Sequence, residues 1–270
     1  MKASNDFALV TGSASGLGRS VLTSLAARKF NIIGVSRPGD NVEAVVETIA
    51  KQFGVIGIGI ELDLSVPNCS VVLKQMIDEQ GAEVVFLVNN VGAGGTSEFQ
   101  HSDHASNRLM MELNMKTTVE MCREFLPQMI ARGEGNVMNV SSMAANFPMP
   151  FKSIYSASKA FVKSFSIGLR SEMKRFGVNV SVIQPGAMLT NQVVIDQLKH
   201  GSAMSRVSAM TPMKVAEESV KMTLQGKAVV VPGFKNWLTL GMLRVFPRPL
   251  TTGLAVYNYL KTKKKITKAE

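Results

Sequence analysis

The sequence predicts an α/β fold: a doubly wound parallel sheet of about seven strands in a single domain, followed by a C-terminal helical extension. Three observations predict it. Short apolar runs of strand length recur along the chain, and stretches of helical periodicity separate them in strict alternation. The first run also ends in a glycine-rich turn that leads into a helical pattern.

The strand runs lie at residues 7–10, 32–36, 55–60, 84–89, 136–140, 178–183 and 228–231. They read as continuous apolar segments, as expected of strands covered on both faces. Helical spacing falls between them at 17–28, 42–53, 70–79, 106–129, 153–176 and 215–224. Residues 1–234 form the predicted catalytic domain, with a substrate lid at about 187–212 where periodicity is weak. Residues 235–270 form a basic, amphipathic extension.

At 270 residues the chain can bury the core of one large α/β domain. The net charge of +10 is unevenly placed. Residues 235–270 hold eight Lys or Arg and one acid, which leaves only +3 for the preceding 234 residues. That distribution argues against a nucleic-acid surface on the body of the fold. Cys69 and Cys122 read as isolated buried thiols rather than a disulfide framework, and no secretory signal precedes the first strand. Both features point to the cytoplasm. His101, Asp103 and His104 cluster before a helix, but without further ligands the expectation is no metal site, with Asp103 as a helix cap. The seventeen methionines are scattered and read as core filler.

Glycines at 12, 16 and 18 occupy the strand-to-helix turn. Without a Cβ, the backbone of Gly12, Ser13, Ser15, Gly16, Leu17 and Gly18 can approach a pyrophosphate, and the helix N-terminus offers free N–H groups to it. The second strand ends Ser36-Arg37-Pro38, where a carboxylate would bind a ribose 2′-hydroxyl. Arg37 instead suits a 2′-phosphate, so the cofactor expected is NADP(H). The alternative is a solvated surface arginine. Asp40, the nearest acid, is expected to cap the following helix. Further along, Tyr155 and Lys159 stand four apart on a predicted helix, which brings them to one face. There an ammonium lowers the phenol's pKa and makes the hydroxyl a usable acid or base.

These residues resemble the short-chain dehydrogenase/reductase family. The resemblance rests on Thr11–Gly18, Asp63-Leu64, Asn89-Asn90-Val91-Gly92, Asn114, Ser141-Ser142, Tyr155–Lys159 and Pro185-Gly186, in the family's order. It implies a Rossmann-type fold and hydride exchange between a nicotinamide cofactor and a carbonyl or alcohol carbon. It further implies that Asp63 accepts from the adenine amino group beside Leu64; the alternative is a cap on the turn into the next helix. Asn90, Val91 and Gly92 would lie near the cofactor ribose, with Val91 standing where the family usually has alanine. Pro185, Gly186 and Thr190 would face the carboxamide. The implied catalytic set is Asn114, Ser142, Tyr155 and Lys159. Ser142 polarises the carbonyl, Tyr155 transfers the proton, Lys159 holds the ribose and Asn114 holds a relay water. Ser141 is the competing hydroxyl.

Met143, Phe147, Met149 and Phe151 either line an apolar substrate pocket or pack in the core. The implied substrate is a ketone or secondary alcohol. A 3-oxoacyl compound is favoured, then a steroid-like or small carbonyl compound. A catalytically silent NADP(H)-binding redox sensor is the competing function. The resemblance also implies a homodimer or homotetramer built from helices 106–129 and 153–176. The extension is too interrupted to span a bilayer, but its Trp, Tyr and Lys content suits peripheral membrane contact.

Overall fold

A computed structural model of the chain describes residues 5–189, 209–245, 252–253 and 256–257. Seven strands form one parallel sheet in the order β3-β2-β1-β4-β5-β6-β7. They are β1 (Asp6–Thr11), β2 (Asn31–Ser36), β3 (Gly57–Glu61), β4 (Glu83–Asn89), β5 (Gly135–Val140), β6 (Val178–Ile183) and β7 (Val229–Val230). The expected runs differ from these by a residue or two at most ends. The run at 55–60 begins later, at Gly57: Val55 N still bonds Ala50 O of the preceding helix, and Ile56 makes a first bond to β2 by accepting from Ile32 N.

Two cores hold the helices to the sheet. On one face Val10 and Ile32 pack against Val21, Leu22 and Leu25 of α1 (Gly16–Ala26). Val46 and Ile49 of α2 (Val42–Phe53) and Val215 and Val220 of α7 (Pro212–Leu224) complete that layer. The opposite face joins Leu9, Ile33 and Leu87 to Leu73 and Ile77 of α3 (Cys69–Glu79) and to Met121 and Phe125 of α5 (Thr117–Arg132). Burial of these side chains is worth roughly 1.5–3 kcal/mol each before entropy is charged against it. α6 (Ser153–Met173) lies beside β5 and β6, and α8 (Phe234–Val245) follows β7.

The expected single helix at 106–129 is broken. α4 (His104–Met111) passes into a π-helical turn at Glu112–Lys116 before α5 begins. One extra residue per turn is inserted at Asn114, and π-turns of this kind concentrate at functional sites. In an open parallel sheet, ligands bind beyond the strand carboxyl ends where the order reverses, here between β1 and β4. Both strands deliver their loops to that point.

Candidate active site

The turn after β1 is fixed by its own hydrogen bonds. Thr11 Oγ1 donates to Val88 O at 3.3 Å and accepts from the backbone N–H groups of Asn90 and Val91, each at 3.0 Å. The Asn90 carboxamide donates to Thr11 O at 2.9 Å and to Gly12 O at 3.0 Å. Gly12 has φ +64°, a left-handed conformation. A Cβ on Gly18 would overlap the Gly12 carbonyl, so helix and turn can close only with glycine there.

Beside this turn lies a cavity of about 410 Å³, lined by Gly12, Ala14, Ser15, Ser36, Arg37, Asp40, Asp63, Leu64, Asn90, Val91 and Gly92, among others. It brings together most of the expected cofactor residues. Ser13 and Leu17 are turned inward instead. The Ser13 hydroxyl donates to Val35 O at 3.3 Å, and Leu17 is buried in the core. Gly16 and Gly18 shape the turn from behind. Ser36 Oγ accepts from Ala14 N at 2.9 Å, which ties the second strand to the turn. Asn90 lines the cavity as expected, while its amide donors bond Thr11 O and Gly12 O of the turn.

Arg37 lies at the cavity edge with its side chain 72% exposed, and its Nε is 3.6 Å from Asp40 Oδ2. Asp40 therefore does not cap α2. The N-cap is Asn41, in a left-handed conformation, and makes no side-chain cap bond. Glu61 does the ordering that composition gave no hint of, by accepting from the N–H groups of Gly39 at 3.0 Å and Asn41 at 3.1 Å. Asp63 Oδ1 holds the next turn through Ser65 N at 2.8 Å and Ser65 Oγ at 2.7 Å.

The second half of the site is built on α6. Ser141 and Ser142 diverge as β5 ends. Ser141 Oγ donates to Lys159 O at 2.7 Å, whereas Ser142 Oγ accepts from Ala144 N at 3.1 Å and hydrogen-bonds toward Tyr155. Lys159 is 6% exposed, and its Nζ donates to Val140 O at 3.0 Å. Burial pulls its pKa down to about 8. Burial also raises the Tyr155 phenol above its usual value, and the Ser142 hydrogen bond pulls it part of the way back. The lysine is thus not the neighbour that depresses the phenol in this geometry, contrary to the sequence expectation. It is close enough to the same loop to act there: a Cβ on Gly92 would sit 3.4 Å from Lys159 Nζ, and one on Gly94 would sit 3.5 Å from the Tyr155 ring.

Asn114 clamps that loop. Its Oδ1 accepts from Ala93 N, and its Nδ2 donates to Ala93 O and to Ser158 Oγ, each at 2.9 Å. The π-turn rotates the side chain inward to reach all three. Ser158, which was not anticipated, in turn donates to Tyr155 O at 2.8 Å, so Asn114 is linked to the catalytic helix through one hydroxyl. Pro185 O accepts from Met143 N at 3.0 Å, and Gly186 packs against Asn236. Thr190 and most of the expected lid at 187–212 lie outside the described residues.

Tyr155 opens onto a cavity of about 310 Å³ that shares Ala93 with the first. Its wall is more polar than expected, with Ser102, Asp103, Asn107 and Lys152 beside Phe99, Leu109, Met110, Phe151 and Ile154. Of the four apolar candidates only Phe151 lines it. Phe147 and Met149 line a separate depression on the far side of the 143–152 loop, and Met143 begins a short 3₁₀ turn. Phe151 holds φ +66°, a costly conformation for a bulky side chain, while its carbonyl accepts from Ser97 N at 2.9 Å. Next to it Lys152 Nζ stands 6.0 Å from the Tyr155 ring centroid, a second cation that sequence spacing did not indicate. Asp103 caps α4 through Ser106 N at 2.8 Å, and no group able to hold a metal occurs among the described residues.

The parallel sheet with its glycine turn, and the Tyr-Lys pair beside the β4 loop, define a Rossmann-type dehydrogenase. Residues 6–197 match the sequence profile of the short chain dehydrogenases, and the chain belongs to that family of CH–OH oxidoreductases. The very-long-chain 3-oxoacyl-CoA reductase-A of Danio rerio is 33% identical over 193 residues, which is 70% of this chain and 60% of that protein. The very-long-chain 3-oxoacyl-CoA reductase of Mus musculus is 28% identical over 273 residues, covering 96% of this chain and 84% of the relative. A solved 7beta-hydroxysteroid dehydrogenase superposes with a TM-score of 0.80 at 22% identity, over 89% of this chain and 92% of that one. The last comparison bears on fold alone.

Proposed function

We propose that this protein is an NADP(H)-dependent oxidoreductase that interconverts a ketone and a secondary alcohol on an apolar, lipid-like substrate. The favoured class is 3-oxoacyl. The observation that carries the reading is the convergence of Tyr155 and Lys159 on the Gly92–Gly94 loop, which divides the glycine-turn cavity from the Tyr155 cavity. The glycines at 12, 18 and 92 let the turn, the helix and the β4 loop close on one another, and the cavity beside them has the size and the helix N-terminus that a dinucleotide backbone needs.

When bound, the cofactor supplies or accepts hydride. The remaining chemistry falls to this chain. Ser142 Oγ donates to the substrate carbonyl oxygen and polarises it. The Tyr155 hydroxyl delivers the proton to the developing alkoxide. Lys159, whose Nζ lies beside Gly92, would hold the cofactor ribose, and Asn114 keeps the loop and α6 in register. Arg37 supports the preference for a 2′-phosphate, since no carboxylate follows Ser36 directly and the guanidinium reaches the cavity edge.

In this reading the protein works in a reducing cytoplasm, where Cys69 and Cys122 stay unpaired. It assembles as a homodimer or homotetramer through the helices of 106–129 and 153–176, where Met111, Phe161 and Ile167 are exposed. The similarity to two 3-oxoacyl-CoA reductases supports the acyl substrate, and the polar groups of the Tyr155 cavity fit a thioester or hydroxyl near the carbonyl. The test is NADPH consumption over 3-oxoacyl-CoA, steroid ketones and small carbonyl compounds, with wild type beside Tyr155→Phe. Turnover should fall about 10³-fold in the variant while NADPH binding is retained. Wild-type protein that binds NADPH but reduces nothing in the panel would favour the silent redox sensor.

A further inference from the structure

α8 carries an apolar face that is largely exposed among the described residues. Phe234, Trp237, Leu238 and Met242 recur at helical spacing and are 75%, 60%, 46% and 47% exposed. The Phe234 and Trp237 rings stack at 6.0 Å. The opposite face is anchored: Asn236 and Leu240 are buried, and Asn236 Nδ2 donates to Pro232 O at 2.9 Å. The helix is therefore fixed in place with its aromatic side outward. Four large apolar side chains on one face of one helix form the kind of contiguous patch that marks an interaction surface.

Charge decides what covers it. Residues 235–270 hold eight Lys or Arg and one acid, beginning with Lys235 on this helix. A second copy docked by the same face would oppose two such segments, because a two-fold contact is self-complementary. The rest of the chain is itself +3 in net charge and supplies no net negative charge to offset them. An anionic bilayer satisfies both halves of the pattern. It receives Trp and Phe at the headgroup boundary and attracts the lysines at its surface.

We infer that the Phe234–Trp237–Leu238–Met242 face of α8 docks the protein on an anionic membrane. The helix packs through Asn236 on Gly186, just beyond the carboxyl end of β6. Docking there turns the rim of the catalytic crevice toward the lipid. This deepens the proposed lipid-like substrate and rests on that reading only for its purpose, not for its physics.

Trp237 is the sole tryptophan of the chain, so its emission reports on this face directly. Full-length protein is mixed with phosphatidylcholine vesicles, with or without an equal share of phosphatidylglycerol, at low and high salt. The emission should shift to shorter wavelength with the anionic vesicles only, and the shift should weaken with salt. In sedimentation with the same vesicles, the double variant Phe234→Ser, Trp237→Ser should bind about tenfold less or worse, while reduction of a water-soluble ketone by NADPH stays unchanged. Emission indifferent to anionic vesicles overturns the inference. So does light scattering that shows an oligomer dissociated by the same variant, since the face would then belong to a second copy. Wild type that binds vesicles but reduces no ketone upholds the docking face and strikes only the oxidoreductase reading.

Discussion

The glycine turn and the Tyr155–Lys159 centre sit on opposite sides of the Gly92–Gly94 loop and are built on different principles. Around the turn, polar groups find partners within the fold. Thr11, Ser13, Ser36 and Asn90 all bond the backbone, and the Gly12–Gly18 contact is steric. At the catalytic centre the fold buries charge against its own interest. Lys159 has one carbonyl for company, and both it and Tyr155 are shifted away from their charged forms. Under the proposed function, recognition is thus prepared by shape, and chemistry by unfavourable electrostatics that the reaction can relieve.

The largest test of this contrast is Lys159→Met. Removing the amine should cut kcat/KM by about 10²–10⁴-fold, the range for a positioned proton-transfer group. Yet the same change should raise stability near neutral pH by about 2 kcal/mol, because a cation that burial holds well below its usual pKa is replaced by an apolar chain. The pH dependence has a definite sign. The folded pKa of about 8 lies below the unfolded value of about 10.5, so between these values the unfolded chain binds the extra proton. The stability of the wild type should therefore gain from this group as pH rises through that window. Lys159→Met should flatten that rise, which melting curves with and without the substitution would reveal. A variant less stable than wild type at neutral pH would mean the amine is structural.

Gly18→Ala tests the other side and should reverse the pattern. The added methyl meets the Gly12 carbonyl and the Asn90 amide, neither of which is the free end of a flexible chain. We expect a loss of about 1–3 kcal/mol in stability and NADPH binding weakened at least tenfold. The Tyr155–Ser142 geometry should be preserved. Titration of NADPH by fluorescence, alongside thermal melts, checks both. Alanine tolerated without loss of either would show that the turn is looser than drawn.

How much of this was legible follows the same division. Strand runs such as Val84–Val88 announce themselves because a strand buried on both faces must be apolar throughout, and β1, β2 and β4 fell where expected. The glycine turn was legible because only glycine fits there. The proposed catalytic residues could be named as types at fixed spacing, but their energetics could not, since burial is a property of the assembled fold. The π-turn at Glu112–Lys116 left no trace, because one inserted residue hardly changes helical periodicity over so short a run. Ser13 could not be told from Ser15 until the turn gave them opposite directions. Lys152 reaches Tyr155 only through the left-handed backbone at Phe151, a conformation no composition rule assigns to phenylalanine.

Arg37 sharpens the comparison at its smallest scale, because its proposed cofactor contact would rest on charge rather than on shape. Its guanidinium is largely exposed and its pairing with Asp40 spans 3.6 Å, so the ion pair itself contributes little. A 2′-phosphate would offer a doubly bonded partner in its place. Arg37→Ser should therefore leave stability unchanged and raise the KM for NADPH by about tenfold, the order of one charge-assisted contact. The KM for NADH should move far less, since its 2′-hydroxyl brings no charge to the loop. The loop itself would persist, being held by Glu61 through Gly39 and Asn41 rather than by the arginine. Steady-state kinetics with both cofactors decide the matter. Equal loss with NADH and NADPH would make Arg37 a loop-former, and no loss with either would reduce it to a surface charge and withdraw the preference for NADP(H).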